Sequence, residues 1–169
     1  MKTTPASKET SRGISLIEVV VGASIVFFVL LSTVTALQLY IVSSRANLDR
    51  IQAAYLLEGG VEIVRFIRDK GYTAELSALA KDTPYCLVFE GGTWKATTTE
   101  TLIDGSFRRT AALRDVYRRL SDRDIVASTS PDTKEVDPET TEVVVSVAWG
   151  TEASKELEAV TYLTNLFGN

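Results

Sequence analysis

At 169 residues the chain has room for one globular domain with an extra element beside it or for one modest domain alone, and a pI of about 5.0 with a formal net charge of −4 offers no basic patch to a phosphate backbone. The absence of histidine excludes Ser-His-Asp and Cys-His catalysis and most catalytic zinc sites. A single cysteine, Cys86, excludes an intrachain disulfide and a thiolate metal site, and its setting in YCLVFE predicts a buried, inert thiol.

The mean hydropathy of +0.08 is raised by one segment near the N-terminus; the remainder is ordinary soluble protein. Residues 1–13, MKTTPASKETSRG, carry Lys2, Lys8 and Arg12 against Glu9. From Val19 to Leu37 there is no charge. At a rise of about 1.5 Å per residue this run reaches across a hydrocarbon core of about 30 Å. Ser24, Ser32, Thr33 and Thr35 interrupt it mildly, because hydroxyls can bond back to helix carbonyls. The basic leader predicts a cytoplasmic N-terminus and a C-terminal part outside.

A secretory signal peptide would find small residues for cleavage near Val34–Ala36. The apolar run, however, exceeds the usual h-region of about 7–15 residues, continues past that point and opens with an acid. A plain signal anchor explains the length but not Glu18. An acid costs about 2.5–3.5 kcal/mol at the centre of a membrane helix and less near its end.

The stretch from Gly13 to Gly22, GISLIEVVVG, follows the basic leader and opens the apolar helix. It resembles the cleavage and methylation motif of type IV pilins and pseudopilins. Gly13 matches the last leader residue, Ile14 the first mature residue (more often Phe) and Glu18 the acid at the fifth mature position. The specific match covers residues 1 to about 40. The proline of many major pilin helices is missing, since none lies between Pro5 and Pro84, so no kink is carried over. The resemblance implies that a prepilin peptidase and methylase cuts after Gly13 and methylates the amine of Ile14. It also implies other pilin-like subunits and an inner-membrane assembly machinery as partners. Removing residues 1–13 takes three basic residues and one acid, leaving a net charge of −6. The new cationic amine could then meet the Glu18 of a neighbouring subunit. At about 4 Å and an effective dielectric near 20 such a pair attracts by about 4 kcal/mol before desolvation.

Residues 43–70 are expected to continue the helix as an amphipathic segment. Leu48, Ile51, Ala54, Leu57, Val61, Val64 and Ile67 recur at steps of three and four and predict its packing stripe. Glu62–Arg65 and Arg65–Asp69 are spaced for pairing, and Gly71 is a natural stop. Gly59–Gly60 interrupt this helix, either for close approach to a sheet or as a weak point that bends when subunits pack. The run Glu58–Asp69 also resembles one found in some bacterial prepilin-like proteins.

A short helix is expected over Ala74–Lys81. YCLVFE and TWKATT around Gly91–Gly92 predict a hairpin, and a strand follows the turn at Asp104–Gly105. DIVAS leads into an expected loop over 128–141. EVVVSVAWG and KELEAVTYLTNL read as two strands around a turn near Gly150–Ser154, with Val143, Val145, Val147 and Trp149 on one face. The basic pairs Arg108–Arg109 and Arg118–Arg119 alternate with acids and read as solvated faces. Asp122, Asp124, Asp132 and Asp137 fit no EF-hand spacing and read as a solvated loop.

The expected fold is therefore α+β: a leader at 1–13, a membrane and assembly helix at 14–42, an amphipathic continuation at 43–70, and an antiparallel sheet head at 71–169. No residue set stands out as catalytic, cofactor-binding or metal-ligating. The expected function is a structural filament subunit in the cell membrane and then at the cell surface. A secretion or competence pseudopilin shares the motif, and a membrane-tethered binding domain that never polymerises is the reading from another class.

Overall fold

The computed structural model describes residues 15–166 and 168. A single helix, α1, runs over Leu16–Lys70. The chain forms two compact units, one ending at Asn47 and the other beginning at Leu48.

In the first unit every described residue from Ser15 to Ser43 is exposed. Mean hydropathy over 18 residues reaches 2.4, so the helix is long and apolar enough to cross a membrane. The hydroxyls of Ser24, Ser32, Thr33 and Thr35 donate to the carbonyls of Val20, Phe28, Val29 and Leu31 at 2.7–2.9 Å.

In the second unit the C-terminal part of α1 lies on an antiparallel sheet, the α+β architecture expected. The strands are β1 (Tyr85–Glu90), β2 (Thr93–Thr97), β3 (Phe107–Arg119), β4 (Ile125–Val126), β5 (Lys134–Trp149) and β6 (Lys155–Thr164). They order as β2-β1-β3-β5-β6, with β4 beside the far end of β3. Two glycines make the first hairpin possible. Gly91 and Gly92 both take positive φ, 62° and 80°, the two left-handed positions of a tight hairpin turn. Asp104–Gly105 turn in the same way before β3.

Val143, Val145, Val147 and Trp149 do share the buried face, as alternation predicts. They meet Tyr85, Leu87, Phe107, Ala111 and Leu113 from the sheet and Ala53, Ile63, Val64 and Ile67 from α1. Cys86 is buried on the opposite face.

Four expectations need correction. The packing stripe of α1 is carried by Ala53, Gly60, Ile63, Val64 and Ile67, while Leu48, Ile51 and Ala54 are exposed. Three residues advance a helix by only about 300°. A run at steps of three therefore walks halfway round between Leu48 and Leu57. The Arg65–Glu62 pair forms at 2.5 Å, but Asp69 pairs with Arg68 at 2.7 Å instead of with Arg65. The helix expected over Ala74–Lys81 is a π-helical turn at Tyr72–Leu76, closed by the Ser77 amide on the Tyr72 carbonyl at 2.7 Å. The buried Tyr72 hydroxyl reaches Thr141 Oγ1 at 3.0 Å and so ties that turn to β5.

The fourth correction is the loop at 128–141, of which 134–141 belongs to β5. Val136 pairs with Tyr117 and Thr141 with Asp115, so residues 137–140 bulge opposite Val116. Pro138 sits in that bulge, where no ladder hydrogen bond is asked of it.

Candidate functional site

Glu18 lies in the first turn of α1 and is exposed. Its amide and that of Val19 both donate to the Ser15 carbonyl, at 2.9 and 3.2 Å. A carboxylate is favoured there by the partial positive charge of the helix start. Among the described residues its side chain has no hydrogen-bond or ion-pair partner. Gly13 and Ile14, the other two residues singled out in the sequence, lie outside the described residues.

Further along α1, in the second unit, two residues expected in the packing stripe, Leu48 and Ile51, join two not singled out in the sequence, Tyr55 and Phe66. Leu48, Ile51, Tyr55 and Phe66 are 63%, 53%, 72% and 48% exposed. Their spacings of 3, 4 and 11 return to one side of a helix, away from the buried stripe. The signal was present in the sequence as a second apolar stripe, merged there with the packing stripe.

Gly59 and Gly60 sit where α1 crosses β3 and β5. A methyl at Gly60 would lie 2.6 Å from Val145 Cγ1 and 3.1 Å from Arg109 Cδ; one at Gly59 would meet only Arg109 Nη1, at 3.5 Å. Gly60 is thus explained by close approach to the sheet. Arg109 is correspondingly buried, which corrects its reading as a solvated residue: strand alternation puts Arg108 on the outer face with Glu100 and Arg109 under the helix. Its guanidinium reaches the carbonyls of Leu56 and Leu87 at 3.5 and 3.4 Å and stands 5.4 Å over the Trp94 ring. Among the described residues its Nε has no hydrogen-bond partner, and burial pushes its pKa down.

The acids of the β3–β5 arm are tied to arginines. Asp122 and Asp132 close on Arg119 at 2.6 and 2.9 Å, Asp137 on Arg118 at 2.6 Å, and Glu135 on Arg123. A groove of about 670 Å³ lies on the outer sheet face beside β4. There Arg114 stands between Asp82 and Glu142 at 3.6 and 3.5 Å, and the bond to Glu142 holds the Tyr162 phenol above its ordinary pKa.

No family model, curated protein or solved structure matches the chain.

Proposed function

We propose that the chain is a structural subunit of a type IV pilus-like filament, assembled through its N-terminal helix after cleavage between Gly13 and Ile14. The observation that carries this reading is the apolar side of α1 beyond the membrane segment. A tether needs hydrocarbon only within the bilayer. Leu48, Ile51, Tyr55 and Phe66 lie in the unit that carries the sheet, yet keep their apolar surface in solvent on the side away from it. At about 25 cal/mol per Å², that surface favours a second layer of helices. The resemblance around Gly13, Ile14 and Glu18 supplies the partner, since every copy brings the same helix. Glu18, without a side-chain partner among the described residues, fits the amine that cleavage would create on a neighbour.

Two measurements test the proposal. Intact mass of the protein recovered from cells should correspond to a chain beginning at methylated Ile14, and a mass beginning at Met1 or Leu37 refutes it. Ile51→Glu should leave membrane insertion and the fold of the sheet unit unchanged but remove the chain from sheared filaments. Normal incorporation of that variant would show that this face is not a subunit contact.

A further inference from the structure

We infer that copies of this chain join edge to edge through their sheets, with β6 of one copy lying parallel to β2 of the next. This rests on the filament reading and specifies a contact that the helices alone do not provide.

The argument begins with strand direction. Four antiparallel pairings separate β2 from β6, so the two edge strands point the same way. Two copies placed side by side in the same orientation, with the sheet-borne part of α1 on one face and parallel in both, therefore bring β6 and β2 together as a parallel pair. Joining β6 to β6 instead needs a two-fold axis: one normal to the sheet reverses that part of α1 in one copy, and one along the strands puts it on the opposite face.

The β6 edge is open and regular. It makes ten consecutive pairs with β5 and contains no glycine or proline over Lys155–Thr164. Such an edge presents a row of unpaired amides and carbonyls, and proteins usually blunt it. Here the only charges on it are Lys155, Glu156 and Glu158, all in its first half.

Those charges match the opposite edge in sign and in level. One row crosses the outer face through Thr97, Cys86, Thr110, Ser146 and Glu158, each paired to the next. Two residues earlier on each edge strand, on the same face and at the same level, stand Lys95 and Glu156. In parallel addition Lys95 of one copy faces the Glu156–Glu158 pair of its neighbour. Lys95 now rests on Glu90 at 3.3 Å, an exposed pair that is readily exchanged. On the inner face Ala96 of one copy comes beside the half-buried Leu157 of the next.

The test uses the full chain in cell membranes and in sheared filaments, with Lys95→Cys, Glu156→Cys and the double variant. Native Cys86 is buried and serves as the control. A thiol cross-linker spanning about 5 Å suits the spacing of adjacent strands. The double variant should give a ladder of dimer, trimer and higher species, and mixed single variants should give dimers only. Neither single variant alone should cross-link. Dimers from Glu156→Cys alone would overturn the parallel pairing in favour of the two-fold one. Filaments that form normally but give no ladder would overturn the edge contact and leave the filament reading standing. A ladder in membranes without any filament would keep the edge contact and refute the filament reading, and absence of both would refute both.

Discussion

Gly59→Ala and Gly60→Ala should change stability in opposite directions. Either change removes a glycine from the middle of α1, and in an unobstructed helix alanine is favoured by about 0.8–1 kcal/mol. At Gly59 the new methyl meets only Arg109 Nη1, at an ordinary 3.5 Å, so most of that gain should appear. At Gly60 it would press on Val145 Cγ1 at 2.6 Å and Arg109 Cδ at 3.1 Å. Val145 is fully buried in a central strand and its branched side chain has little rotamer freedom. Overpacking of this kind costs about 1–3 kcal/mol, so after the helix gain Gly60→Ala should lose up to about 2 kcal/mol. For a chain of this size that is a fall in Tm of up to about 8 °C. Thermal unfolding of the detergent-solubilised chain, followed by the fluorescence of Trp94 and the buried Trp149, reads both variants. If Gly60→Ala proves as stabilising as Gly59→Ala, the close approach of α1 to β5 is wrong.

Glu18→Val should still insert and be cut, yet fail to enter filaments. Leaving an incoming amine buried without its partner costs about 3–5 kcal/mol, well above the gain in insertion. Glu18→Gln should be nearly as defective, and blots of sheared filaments against membranes that show normal amounts of either variant would remove the assembly role. Asp137 gives a pH dependence. Burial works to raise its pKa, but Arg118, Thr140 and the Glu139 amide outweigh it and hold the carboxyl below its ordinary 3.8. Its contribution is therefore complete above about pH 4 and is lost as pH falls through the lowered value. Denaturant midpoints of wild type and Asp137→Asn should differ at neutral pH and converge in acid; a gap that does not change with pH would contradict this.

Local rules made part of the head legible and not the rest. Gly91–Gly92 announce their turn because only left-handed backbone closes it, and the alternating valines of β5 announce their face because strand geometry has period two. Arg109 was misread because a pair of arginines in sequence looks like one polar patch, whereas a strand sends its two members to opposite sides. The start of β5 was misread because Pro138 and its acidic neighbours have loop chemistry; only the bulge opposite Val116, a feature of pairing with β3, makes room for them in a strand. In α1 two apolar stripes run along different sides of the helix. Which one faces the sheet depends on Gly60 and the side chains beneath it, and these come from strands far along the chain. Glu18, by contrast, is conspicuous because it is the one charge at the head of a long uncharged apolar run.

The hydroxyls of the membrane segment bear on how such helices could be sorted. Ser24, Ser32, Thr33 and Thr35 each spend their proton on a carbonyl one turn back. A serine or threonine already satisfied within its own helix has little reason to select a particular hydroxyl on another. Under the filament reading, the hydroxyl protons between Val19 and Leu37 therefore do little to fix the register of the helix against a neighbour. On that reading vertical position falls to the carboxylate at its start, and moving that acid by one turn should shift the stagger between neighbouring helices by about 5.4 Å.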